Sequence, residues 1–76
     1  MTNLIGTQVF HGSPGYENEE CIYSIFVRRN AVEIEFESGA FTTLSHDDFH
    51  TLLVEDRIAY TEKHGGASVL SFRPLH

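Results

Sequence analysis

Two histidines four residues apart, His46 and His50, are the first pair in this chain whose types and spacing suggest chemistry. On a helix, positions i and i+4 share a face, so both imidazoles could reach one zinc ion. Asp47 stands where a catalytic glutamate would act as base, no third ligand follows at a usual spacing, and Phe49 is needed for a core. Both histidines are therefore expected to be solvated residues of a helix start, and no metal or cofactor is expected. His11-Gly12-Ser13 sets a serine near a histidine, but a nucleophile elbow needs glycine two before the serine, where His11 stands, and Ser13 before Pro14 suits a turn. Cys21 has no basic neighbour in sequence and fits a small apolar position in a strand. No catalytic set can be assembled from these residues, so the chain is not expected to be an enzyme.

The remaining chemistry is charge. The 76 residues carry eleven Asp and Glu against five Lys and Arg, a formal net charge of −6. Glu33, Glu35 and Glu37 alternate with Val32, Ile34 and Phe36, which places the three carboxylates on one face of a strand at intervals of ~7 Å. Glu17, Glu19 and Glu20 precede the partner strand, and the same alternation places Phe26 among the glutamates. Solvation of an outer face is one account of this comb. The other is recognition: a row of carboxylates imitates a row of phosphates and engages a basic partner surface, with Phe26 as the aromatic anchor. Nucleic-acid binding through the sheet has only Arg28-Arg29 and the aromatic residues in its favour, and the net charge opposes it.

The elements that must position these groups follow from alternation and turn chemistry. Gln8 to Phe10 is expected as a first strand, and Gly12, Pro14 and Gly15 open a long loop from Gly12 to Glu20. Ile25 and Val27, then Val32, Ile34 and Phe36, have the period of two of half-buried strands. A two-residue loop at Arg29-Asn30 or Asn30-Ala31 puts Ile25, Val27, Ile34 and Phe36 on one face. A Ser38-Gly39 turn would pair Phe36 with Phe41 and continue the apolar face into a third strand. Ser45 as N-cap, Asp48 three residues later and Leu44 able to staple onto Phe49 predict a helix from about His46 to about Asp56, with Phe49, Leu52 and Leu53 as its apolar stripe. Ile58 and Tyr60, then Leu70 and Phe72, predict two closing strands. A three-residue His64-Gly65-Gly66 loop between them would set Tyr60 against Leu70, with a glycine in the left-handed conformation.

The expected fold is α+β: a small curved antiparallel sheet, or open barrel, of five to six strands packed by one short helix between the third-last and second-last strands. It resembles an SH3-like barrel in its long first loop and its meander, a likeness of architecture without an identifying motif. Residues 1–76 suit a single small domain, since a chain of this length buries only about 60% of its unfolded surface and leaves little for a deep active site. The apolar runs are far below the ~20 residues of a membrane span, and the start of the chain lacks the pattern of a secretory signal. With one cysteine, a cytoplasmic location is expected. The expected function is a small acidic, non-enzymatic protein-binding module, a regulator or nucleic-acid-mimicking inhibitor that engages a basic protein surface. A nucleic-acid-binding small β-barrel and a histidine metal protein are the alternatives, and exposed sheet edges leave room for a homodimer.

Overall fold

The structure, a computed structural model that describes residues 4–74, consists of β1 (Gln8–Gly12), β2 (Asn18–Val27), β3 (Val32–Phe36), β4 (Phe41–Leu44), α1 (His46–Glu55), β5 (Arg57–Thr61) and β6 (Ala67–Ser71). The six strands form one antiparallel sheet in the order β4-β3-β2-β1-β6-β5. The fold is thus α+β. In the chain, α1 connects β4 to β5, the two strands at opposite ends of that order, and it packs mainly against β5.

Ser45 starts α1 as its position predicts: its extended backbone stands outside the helix, and its hydroxyl accepts from the Asp48 amide at 3.0 Å. Asp47 and Asp48 lie in the first turn, where the helix dipole favours negative charge. Asp56 ends the helix in the left-handed conformation, and its amide donates back to the Leu52 carbonyl at 2.8 Å. Leu52 is fully buried and Phe49 packs against the core, but Leu53 is exposed, so the buried stripe is narrower than the sequence suggests. Ten residues of helix lying over one end of the sheet leave no second surface for Leu53 to enter.

The core joins Val9, Ile22, Val32, Ile34, Phe36, Leu44, Leu52, Tyr60 and Leu70. β2 serves both halves of it through an irregularity: Ile22 lies opposite Phe36, whereas Ser24 lies opposite Glu35, so Tyr23 is an extra residue in the strand. The bulge inverts the alternation, which is why Ile22 and Ile25, three apart, both face inward. Beyond it Ile25 opposes Ile34 and Val27 opposes Val32, the register of an Arg29-Asn30 turn. Val27 keeps that face yet projects past the core and is exposed.

Three turns differ from expectation. The long first loop is shorter than its composition implies, because Asn18, Glu19 and Glu20 already belong to β2 and pair with His11, Phe10 and Val9. Gly12 makes this return possible: its φ is +152°, and a Cβ there would stand 2.9 Å from the Tyr16 carbonyl oxygen. Between β3 and β4 the Phe36 amide bonds the Ala40 carbonyl, so three residues turn the chain instead of two. Glu35, not Phe36, therefore faces Phe41, and the alternation in β4 reverses: Thr42 and Leu44 point inward and Phe41 points out. The last hairpin does use three residues with Gly65 in the left-handed region, but they are Lys63-His64-Gly65. Tyr60 consequently opposes Ser68 and Ile58 opposes Leu70.

Unfolding in urea should separate the two roles in α1. Ser45→Ala removes one cap and is expected to cost ~1 kcal/mol, whereas Leu52→Ala empties a fully buried site and is expected to cost about 2–5 kcal/mol. Equal small effects would contradict the packing described.

Candidate functional site

The outer face of β2, β3 and β4 is a small grid defined by register. In one row Ser24, Glu35 and Phe41 lie side by side across the three strands; in the next row the order is Phe26, Glu33 and Thr43. Each row thus holds a ring, a carboxylate and a hydroxyl, with ring and hydroxyl exchanging sides about the central glutamate. Phe26 is 46% exposed and Phe41 70% exposed, unusual values for phenylalanine on a regular sheet. Arg28 fills the second row: its guanidinium lies 5.2 Å from the centre of the Phe26 ring, and its Nε donates to Glu33 Oε1 at 3.1 Å. In the first row Glu35 Oε1 accepts from the Ser24 hydroxyl at 3.2 Å.

The other acidic residues singled out in the sequence are not part of this grid. Glu37 follows the end of β3 in the turn, where its amide bonds the Cys21 carbonyl at 2.9 Å and its side chain is exposed. Glu17 lies in the β1–β2 turn, and its carboxylate accepts from the Gly15 amide. Glu19 and Glu20 are neighbours in β2, so their side chains leave opposite faces of the sheet. The structure brings together Glu33, Glu35 and Phe26, and adds Phe41.

A second polar cluster, inside the sheet, has no signature in the sequence. Tyr60 from β5 and Thr42 from β4 are buried and hydrogen-bonded through their hydroxyls. The Thr42 hydroxyl also reaches both oxygens of Glu62, at 2.9 and 3.1 Å, and Ser68 donates to Glu62 Oε2 at 3.0 Å. His11 Nε2 lies 2.9 Å from the Tyr60 oxygen and 3.4 Å from Glu62 Oε2. The Thr42 hydroxyl donates to the Glu62 carboxylate, and the Tyr60 hydroxyl and His11 Nε2 extend the chain toward β1. Burial, and then the charge of Glu62, push the Tyr60 phenol far above its ordinary range. Every buried polar side-chain atom among the described residues has a partner. The cluster joins β1, β4, β5 and β6 and draws the two ends of the sheet together.

His46 and His50 are both exposed. His46 Nε2 donates to the Arg28 carbonyl at 2.9 Å, fastening the helix start to the β2–β3 turn. Among the described residues no three histidine, cysteine or acidic side chains converge as metal ligands. No protein-family model matches this chain, and no curated protein or solved structure does.

Two outcomes are expected. Zinc titrated by calorimetry should bind no tighter than weakly, in the micromolar range, and His46→Ala with His50→Ala should lower the melting temperature only slightly, through loss of the exposed His46–Arg28 hydrogen bond; a one-to-one zinc complex surviving dialysis would contradict this. Tyr60 has its folded-state pKa raised, so its contribution to stability is complete below the ordinary phenol value of about 10 and is lost as pH rises above it. Denaturation midpoints measured from pH 8 upward should fall for the native chain above that point and fall less for Tyr60→Phe.

Proposed function

We propose that this chain is a small acidic protein-binding module, a regulator or inhibitor without catalytic activity, that engages a basic protein surface through the outer face of β2, β3 and β4. The observation that carries this is the grid itself: two exposed phenylalanines interleaved with two carboxylates on a rigid sheet, in a chain of net charge −6. Exposed aromatic rings serve as anchors when a partner desolvates them, and the surrounding carboxylates steer a cationic surface into place. The curled sheet, with α1 spanning its ends, is read as an open SH3-like barrel that holds this face rigid, and the location as cytoplasmic. Imitation of nucleic acid is supported by Glu33 and Glu35; Glu37 extends the acidic edge from the turn. Nucleic acid is the weaker partner on this face, since Arg28 is already engaged by Phe26 and Glu33.

The test begins with recovery of a partner from the native host at low salt and continues with surface plasmon resonance on the purified pair. Association should slow with added salt, because exposed charges are screened over ~8 Å at physiological ionic strength. Glu35→Lys should slow it more than Glu33→Lys, whose native charge is offset by Arg28, and Glu37→Lys should act least. Phe26→Ala should instead raise the dissociation rate. Unchanged kinetics in a folded Glu33→Lys, Glu35→Lys, Glu37→Lys variant would overturn the proposal, and retardation of DNA or RNA in a gel-shift assay would favour the nucleic-acid alternative.

A further inference from the structure

The two rows of the grid have the same composition but different occupancy. In one, a ring and a carboxylate lying directly across the ladder, Phe26 and Glu33, hold a guanidinium that the chain supplies itself, from Arg28. In the other, Phe41 and Glu35 are again direct cross-strand neighbours on the same face, here as a non-hydrogen-bonded pair whose side chains stand closer, and the cation is missing: among the described residues neither Glu35 nor Phe41 makes an ion pair or a cation–ring contact. The Phe41 ring is the more exposed of the two, and the hydroxyl of Ser24 occupies one site on one oxygen of Glu35, leaving acceptor positions on both oxygens.

We propose that Phe41 and Glu35 form a receptor for an arginine side chain of the partner protein. Resting on the acidic-face proposal above, this names the chemical group which that face reads. The Arg28 row supplies the geometry: a guanidinium stacks on the ring and donates to the carboxylate beside it. A planar cation of this kind satisfies both contacts at once. A lysine ammonium is a compact, strongly hydrated charge that gains less from the ring and cannot bind the carboxylate with two parallel donors. Arg28 is then an internal copy of the partner's contact, and it leaves Phe41 and Glu35 as the open position. The neighbouring Thr43, like Ser24, is a small hydroxyl residue, so the approach to the sheet on either side of the glutamates is not blocked by a bulky side chain.

The experiment uses the whole chain, labelled for NMR, titrated with a tetra-arginine peptide and separately with a tetra-lysine peptide of equal charge. The arginine peptide is expected to shift the Phe41 ring and Glu35 side-chain signals first and to bind more tightly than the lysine peptide. Phe41→Ala and Glu35→Gln should each weaken it about two- to fivefold, the size of an exposed cation–ring contact, while Phe41→Tyr retains binding. Arg28→Ala should open the second row and bring the Phe26 signals into the same titration. Circular dichroism melts verify that each variant is folded. Equal affinity for the two peptides, or shifts confined to Glu17, Glu19, Glu20 and Glu37 with the Phe41 ring unmoved, would overturn the arginine receptor. If charge reversal at Glu35 still slows association with the recovered partner in that case, the acidic-face reading survives alone; if reversal has no effect on that association while the arginine peptide binds at Phe41 and Glu35, the acidic-face reading fails for that partner and the assignment of the bound arginine to it is overturned, leaving only a site for a free guanidinium.

Discussion

A buried phenol must have a hydrogen-bond partner, and in this fold the partners of Tyr60 decide the shape of the sheet. No backbone ladder joins β4 to β5. What brings these ends together is the passage from Tyr60 to Thr42 and Glu62, with His11 and Ser68 completing it. An unsatisfied hydroxyl or carboxylate at this depth would cost about 1–3 kcal/mol or more, so the cluster holds only as a whole. The curl that it enforces gives Leu52 and Phe49 of α1 an apolar surface to cover, and so links the helix to strands far from it in the sheet order.

The inward curl also determines what is left outside. With Val32, Ile34 and Phe36 directed to the core, Glu33 and Glu35 must leave by the opposite face, and the rings of Phe26 and Phe41 leave with them. Neither ring belongs to the buried cluster. Burial in the core therefore does not account for either ring, and the proposed recognition role rests on that exposure. Arg28 marks the chemistry to which such a ring and carboxylate are suited.

How far this could be foreseen depended on where the chain turns. The start of α1 was legible because capping is local: Ser45, Asp48 and the apolar residues around them suffice. At the β2–β3 turn alternation showed which residues share a face but left Arg29-Asn30 and Asn30-Ala31 both open, since the two registers differ by two residues and keep the same face inward; the structure takes the first. Phe41 was not legible, since one additional residue in the β3–β4 turn reverses the phase of β4 and moves Phe41 outward and Thr42 inward. The extra residue at Tyr23 hid Ile22 in the same way. Three glutamates between Glu17 and Glu20 gave that segment the composition of a loop, although its backbone pairs with β1. The inner cluster is beyond any local signal: His11, Thr42, Tyr60, Glu62 and Ser68 meet only after four strands have been assembled.

The pairing of β1 with β6 sets the order of events in folding. From β1 to β4 each strand is hydrogen-bonded to its successor, and β5 to β6, so most ladders close over short stretches of chain. The contact of Phe10 with Ser71 and His11 with Leu70 instead joins opposite ends of the described chain. Its entropic barrier is the largest in the topology, because loop closure grows with the length of chain enclosed and non-local pairing slows folding. Until that contact forms, the four-strand meander presents β1 as a free edge, and Val69 and Leu70, buried in the finished fold, remain in water. The rate at which this chain reaches its finished fold is thus governed by its longest-range contact, which lies away from the outer face of β2, β3 and β4.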